Sequence, residues 1–477
     1  MSTLDERAHE ALGDDFLRGA LRLTTDRLYG GRLRAVGELG GQGELDDLRR
    51  RARAIKSHTI SHLDHYLQTA ADAIRRNGGQ VHWAVSAGDA VEIVAGICRR
   101  RGARRVVKSK SMATEEIHLN PALEREGVEV VESDLGEYIV QLDGSTPSHL
   151  VAPAIHYNRR QIADLFGRVA GREMATDTPS LTAFAREVLR EKFLAADVGV
   201  TGANFVAAAS GTLCLVTNEG NGRLTASLPP VHVAVVGIEK LVPTLDDLAV
   251  MLALLPRSAT GQKITTYFTM VQGPRRPGEL DGPEEVHVVF LDNGRHNLLG
   301  SDFEEALYCI RCGACQNACP VYRNIGGHAY GGVYGGPIGA VITPLLSGFS
   351  QGSELPQASS LCGACWEVCP VGIHLHDHLI RLRARLVADG RGHRLERLLV
   401  RAWASVWRRP WAYRTFTRLA YWAMRPFVHR RPDGRELADR LPGPVGAWTQ
   451  SRSFPAVARR TFRDRWAELA QEEDHGR

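Results

Sequence analysis

Seven of the nine cysteines in this chain of 477 residues fall between residues 309 and 369, and that cluster limits the fold more than any other feature. CIRCGACQNACP, residues 309–320, places Cys309, Cys312, Cys315 and Cys319 at C-x2-C-x2-C-x3-C and closes with Pro320. LCGACWEVCP, residues 361–370, repeats most of that pattern with Cys362, Cys365, Cys369 and Pro370. At the same spacing its opening cysteine belongs at residue 359, which is serine.

Four thiolates within eleven residues are too crowded for structural zinc, which takes two pairs set a dozen or more residues apart. C-x2-C-x2-C-x3-C-P is instead the bacterial iron–sulfur pattern, in which the fourth cysteine ligates the other cluster of a pair. Crossed ligation gives cluster one Cys309, Cys312, Cys315 and Cys369. Cluster two takes Cys319, Cys362 and Cys365, and its fourth corner is open. Ser359 or Ser360 can offer an oxygen there. A [3Fe-4S] cluster needs no fourth ligand, a second [4Fe-4S] does, and solvent or an outside group is the third choice. Two neighbouring one-electron centres can together hold the electrons of a two-electron oxidation.

The surroundings of the cluster favour a cytosolic protein. The N-terminus, MSTLDERAHEALGDDF, has neither the basic nor the apolar region of a secretory signal. No apolar run is long enough to span a bilayer. In a reducing compartment clustered cysteines point to metal or redox chemistry rather than disulfides. Cys98 and Cys214 lie in apolar helix-like and strand-like runs and are expected to be buried and inert. The net charge of +5 is uneven: residues 391–431 hold eleven arginines and one acid, Glu396, so the remainder is acidic.

Patterning divides the chain into four parts. Residues 1–70 read as helical, with a stop at Gly78-Gly79. Residues 71–300 alternate strands with helices, which implies an α/β domain with a mostly parallel sheet. Its strand runs are VHWAV, RRVVKS, VEVVES, TLCLVT, VHVAVVGI, ITTYFTMV and VHVVFLD. No GxGxxG follows the first strand, so a dinucleotide fingerprint is lacking. Residues 301–385 form the cysteine-rich part. Its linking glycines, among them Gly326, Gly327, Gly335 and Gly336, suit either a compact loop or close backbone approach to a cluster or partner. Residues 386–477 form a tail with six of the eight tryptophans. Within it LERLLVRAWASVW reads as an amphipathic helix ended at Arg408-Arg409-Pro410.

The chain resembles the lactate utilization protein B family, the iron–sulfur subunit of a bacterial L-lactate oxidation system. The resemblance is carried by the seven-cysteine layout, the linking IGGHAYGGVYGGPIGAVITPLL, and three segments of the α/β part. Those are KSKSMATEEIHLN, TGANFVAAASGTLCLVTNEGNGR and HVVFLDNGRHNLLG, and the likeness covers roughly residues 50–390. It implies a lactate-utilization domain distantly like sugar-phosphate isomerases and CoA-transferases, followed by an α-helical ferredoxin domain like that of succinate dehydrogenase iron–sulfur subunits. It implies action with two other lactate-utilization subunits to oxidise L-lactate to pyruvate, electrons passing through the clusters. The three-cysteine second motif matches the family pattern. His374, His376 and His378 depart from it, and surface histidines at a helix start account for them best.

Two other functions fit parts of the sequence. In one, the α/β domain itself binds lactate, a thioester or a sugar phosphate, with Asn204, Asn218, Glu219, Asn221 and Arg223 as a carboxylate or phosphate cradle. An ordinary turn, with Asn and Gly in their usual places, explains TNEGNGR better. The tail would suit a nucleic-acid-binding redox sensor only if its arginines met phosphates; no nucleic acid is expected. Self-packing, contact with an acidic partner, or peripheral contact with the inner face of the membrane suits residues 391–431 better.

Overall fold

The structure, a computed structural model, describes residues 2–350, 352–391, 394–450 and 452–466. It falls into two compact units, the first running to Leu386 and the second starting at Val387.

Ten strands build the first unit: β1 (Gln80–Ala84), β2 (Arg105–Lys108), β3 (Glu129–Glu132), β4 (Val198–Thr201), β5 (Phe205–Ala207), β6 (Thr212–Thr217), β7 (Val231–Gly237), β8 (Leu241–Val242), β9 (Tyr267–Val271) and β10 (Glu285–Leu291). Six of them form an all-parallel sheet in the order β1-β10-β7-β4-β2-β3. Every residue of β7 is buried, which is why VHVAVVG reads as a continuous apolar run rather than an alternating one. Helices cover both faces and start at side-chain caps. Ser86 and Asp89 form a reciprocal capping box at the first crossover helix, Ala87–Arg101. Gly102, in the left-handed region at φ 59°, stops it.

The runs TLCLVT and ITTYFTMV are strands, as expected, but they leave the parallel sheet. As β6 and β9 they pair antiparallel in a second sheet of order β8-β5-β6-β9. Period-two patterning marks a strand without naming its partner. Strands β5 and β8 span three residues or fewer and escape pattern reading, and β4, interrupted by Gly199, escapes it too.

The N-terminal helices are Leu4–Gly13, Asp15–Gly37, Gln42–Ser61 and Leu63–Arg76. They do not close on themselves. One apolar core joins Leu21, Leu45 and Ile60 of these helices to Phe205 and Leu241 of the second sheet and to Leu307, Tyr322, Val341 and Leu379 of the cysteine region. Leu21 is fully buried, so its truncation to alanine costs about 2–5 kcal/mol.

In the second unit, helices Arg394–Arg408 and Pro410–Met424 precede a small three-stranded sheet. The expected amphipathic helix and its end at Pro410 are present. Trp403, Trp411 and Trp422 are exposed. Among the described residues no helix is long and apolar enough to cross a membrane.

Candidate metal centre

The two cysteine loops share one backbone. Arg311 and Leu361 both sit in the left-handed region, at φ 59° and 55°. Each is followed by a cysteine and then a left-handed glycine, Gly313 at 74° and Gly363 at 82°. Non-glycine residues avoid that region, so its recurrence at equivalent positions marks a built turn rather than chance. The short helices Ala314–Ala318 and Ala364–Glu367 follow and carry Cys315 and Cys365 inward. The equivalence extends to the missing cysteine. The Arg311 amide donates to Cys309 Sγ at 3.4 Å, and the Leu361 amide donates to Ser359 Oγ at 3.1 Å. Ser359 is half-buried and Ser360 exposed.

No cysteine is in a disulfide. Cys312, Cys319, Cys365 and Cys369 are buried, Cys309 and Cys315 partly so, and Cys362 is exposed. Burial pushes the Cys312 thiol up to about 12, with the sulfur of Cys369 beside it adding to the effect. Burial and then Cys319 and Cys362 raise Cys365, also to about 12. Cys319 is raised by burial, with Cys362 as its ionic neighbour. Thiols held this high stay protonated until a metal displaces the proton. The donors fit iron–sulfur centres: seven thiols with the Ser359 hydroxyl at the eighth position, all but Cys362 at least partly buried, and main-chain amides aimed at sulfur. Tyr322 N donates to Cys319 Sγ at 3.5 Å and Ile373 N to Cys369 Sγ at 3.4 Å.

Cations from the N-terminal helices hold the second loop. Arg49 Nε donates to the Cys369 carbonyl at 2.9 Å, and its Nη2 to the Trp366 carbonyl at 3.0 Å. Arg32 Nη2 reaches the Val368 carbonyl at 3.2 Å, and Arg53 Nη1 the Gly372 carbonyl at 2.7 Å. Arg32 interacts electrostatically with Cys312 and Cys369, and Arg311 with Cys309. Lys56 and Lys240 add to the field at Cys309, though burial pushes their ammonium groups down to about 7 and about 8. The Cys309, Cys312 and Cys369 group thus sits in a cationic collar.

Comparison with known proteins settles the family. Residues 67–291 match the LUD domain, residues 305–373 a 4Fe-4S dicluster domain, and residues 383–471 the C-terminal domain of lactate utilisation protein B. Lactate utilization protein B of Bacillus licheniformis is 46% identical over 470 residues, covering 98% of this chain and 97% of that protein. The chain belongs to the lactate utilization protein B family. The Oceanobacillus iheyensis member is 46% identical over 98% of this chain and 96% of its own length, and lactate utilization protein B 2 of Bacillus mycoides 47% over 96% of each. A crystal structure of a DUF162 family protein from Deinococcus radiodurans covers 48% of this chain and 98% of its own, at 15% identity and a TM-score of 0.27, too distant to carry weight.

In this lactate utilization protein B family member the α/β part is joined to the cysteine part by buried charge. Arg295 is almost wholly buried. Its Nη1 and Nη2 donate to the two oxygens of Glu116, each at 2.9 Å, and its Nε to Glu239 Oε2 at 2.6 Å. Burial works against the charge on Glu239, yet Arg295, Lys240 and Arg311 hold its carboxyl down to about 2. Glu239 Oε1 lies 3.6 Å from Arg311 Nη2, and the Arg311 guanidinium stacks 4.7 Å from the Tyr334 ring centre. Beside this chain of charges a cavity of about 380 Å3 opens.

Asn204, Asn218, Glu219 and Asn221, four of the five cradle residues expected from sequence, line that cavity. Arg223 does not; its guanidinium rests 5.2 Å over the Tyr267 ring. The run TNEGNGR turns the chain from the end of β6 into the helix Asn221–Ser227, and Thr217 Oγ1 donates to the Glu219 carbonyl at 2.7 Å. Sequence reasoning missed Lys240, Arg295 and Arg311. The one visible signal was an arginine inside a cysteine motif where any residue would serve as spacer.

The glycine-rich link makes its close approach to the chain itself. A Cβ at Gly327 would meet the Ser148 carbonyl oxygen at 1.8 Å. Tyr322 OH donates to the same oxygen at 2.6 Å. Of the three histidines, His374 and His376 are partly exposed at the start of the helix Leu375–Ala388. His378 is buried, unlike the surface histidine expected, with Nε2 3.4 Å from Glu305 Oε2. Cys98 and Cys214 are buried.

Proposed function

We propose that this chain is the iron–sulfur electron-transfer subunit of a complex that oxidises L-lactate to pyruvate. Cys309, Cys312, Cys315 and Cys369 hold one [4Fe-4S] cluster. Cys319, Cys362 and Cys365 hold a second cluster, completed as [4Fe-4S] by Ser359. The observation that carries this reading is the shared backbone of the two loops, down to the amide that meets Cys309 Sγ in one and Ser359 Oγ in the other. Clusters bound there take up and release electrons one at a time. The protein supplies thiolates, amide donors to sulfur, and a collar of cations that favours added electrons.

Oxidation of L-lactate releases two electrons and two protons, matched by two one-electron centres. The dicluster match and the family name support this assignment. Two further lactate-utilization subunits complete the assembly, on the cytoplasmic side. The arginine- and tryptophan-bearing helices Arg394–Arg408 and Pro410–Met424 offer a surface for an acidic partner or the inner face of the membrane.

Iron and sulfide analysis with EPR on anaerobically purified protein tests the cluster assignment. Roughly eight irons per chain, paramagnetic only after reduction, are expected. Roughly seven irons, with a signal already present when oxidised, would replace the second [4Fe-4S] with [3Fe-4S]. Reduction of the clusters by L-lactate in the assembled complex, and none without its partners, tests the reaction.

A further inference from the structure

We propose that the cavity beside Arg311 binds a small organic carboxylate, and that its occupancy is tied to the redox state of the cysteine loop forming its wall. The redox half rests on the iron–sulfur assignment above; the binding half does not.

The cavity lies where ligands enter parallel α/β sheets, outside the carboxyl ends of the strands. Lys110 follows β2, Asn204 follows β4, and Glu239 and Lys240 follow β7. At about 380 Å3 it is within the size range of small-molecule sites.

Its charges are unevenly committed. Lys110 pairs with Glu137 at 3.1 Å, and Arg295 is spent on Glu116 and Glu239. Arg311 is different. Its side chain is only 7% exposed, yet neither Nη1 nor Nη2 has a hydrogen-bond partner. Its nearest carboxylate oxygen, Glu239 Oε1, stands too far off for a hydrogen bond and lacks a donor itself. A buried guanidinium with two open donors is costly unless a ligand completes it. Its planar fork matches a carboxylate, and Lys240 lines the same cavity.

The rest of the lining sets the ligand class. Asp134 and Glu219 bring carboxyl groups, which disfavour a phosphate dianion. Asn218 Nδ2 donates to Gln262 Oε1 at 2.8 Å and Asn221 Nδ2 lies 3.5 Å from Asp134 Oδ2, so these amides hold the lining together. A monocarboxylate with a neutral polar group at its other end puts one negative charge on Arg311 and brings no second one near those acids.

Arg311 also belongs to the cysteine loop: its amide donates to Cys309 Sγ. An anion on its guanidinium cancels positive charge that would otherwise favour an added electron nearby. Bound carboxylate therefore opposes reduction, and by linkage reduction weakens carboxylate binding equally.

The test is calorimetric titration of full-length, cluster-loaded protein with L-lactate, pyruvate and inorganic phosphate, anaerobically, oxidised and then reduced. Carboxylate binding is expected to weaken about tenfold on reduction, which is about 59 mV for a one-electron couple. Lys240→Met and Arg311→Lys should each weaken it in both states, the second because lysine keeps the charge but loses the fork. Should Arg311→Lys not fold, Lys240→Met carries the comparison. No heat from either carboxylate at concentrations on the order of 10 mM overturns the site. Unchanged affinity in the folded variants does the same. Phosphate binding tighter than either carboxylate overturns the ligand class. Equal affinity in the two redox states overturns the linkage. A preparation without iron defeats the cluster assignment and the linkage with it, while its binding heat still decides the site.

Discussion

Arg49 Nε donates to the carbonyl oxygen of Cys369 at 2.9 Å, across 320 residues of sequence. With the bonds from Arg32 and Arg53, three N-terminal arginines hold the main chain from Trp366 to Gly372. Hydrogen bonds from charged donors contribute about 1.5–3 kcal/mol each. Arg49→Met is expected to lower stability by roughly that much for its two carbonyl contacts and to speed iron loss to a chelator. Thermal unfolding and chelator kinetics on the loaded protein check it. A variant that loses iron no faster than the parent would show the clamp to be idle.

Ser359 occupies the loop position that Cys309 fills in the first motif, and each accepts the amide two residues on. Ser359→Ala should leave the second cluster one ligand short and reduce iron to roughly seven per chain. Ser359→Cys should restore full iron and move the potential of that cluster alone, because ligand type sets potential. Iron analysis and a potentiometric EPR titration read both outcomes. Full iron and an unmoved potential in the alanine variant would remove Ser359 from the ligand set.

The collar predicts unequal clusters. Arg32 faces Cys312 and Cys369, whereas the principal ionic neighbours of Cys319 and Cys365 are other cysteines. Positive charge favours the reduced form, so cluster one should have the higher potential. Arg32→Gln should lower that potential and leave cluster two in place. The same potentiometric titration decides it, and an equal shift in both clusters would count against a local collar.

His149 gives the fold a defined pH response. Its Nδ1 accepts from the amides of Val151 and Ala152 at 3.0 and 3.1 Å, and its Nε2 donates to Asn317 Oδ1 at 3.0 Å. Burial pushes the ring down to about 4. In the unfolded chain it titrates near 6.5. As pH falls from about 6.5 towards 4 the unfolded state takes up a proton that the folded state refuses, so stability is lost across that window and no further below it. The full effect is roughly 3 kcal/mol. His232, buried against Thr201 and also pushed down to about 4, acts in the same sense. Urea unfolding at pH 7, 5.5 and 4.5 should show a shallower loss in His149→Gln than in the parent. Parallel losses would assign the acid sensitivity elsewhere.

The parts legible in sequence are those written locally. Cysteine spacing reports the loops because a chain must turn tightly to bring thiolates together. Apolar runs report β7 and β10 because both faces of those strands are covered. What stayed hidden depends on distant pairs. Arg49, Arg53 and Lys56 follow helical spacing in RRRARAIK, which marks one face of a helix but not the main chain it grips. Arg311 reads as a spacer until Glu239, Tyr334 and the cavity are seen around it. Strands β5 and β8 are too short to show a period at all.

The shared core has a consequence for the order in which the protein is made. The arginine clamp is translated roughly 300 residues before the loop it holds, tens of seconds at bacterial rates of about 5–20 residues per second. Through that interval the apolar faces of the N-terminal helices lack Tyr322, Val341 and Leu379, the residues that later cover them. A nascent chain halted before residue 300 is therefore an unfinished surface rather than a finished domain, and its core becomes whole only as the cysteine region leaves the ribosome.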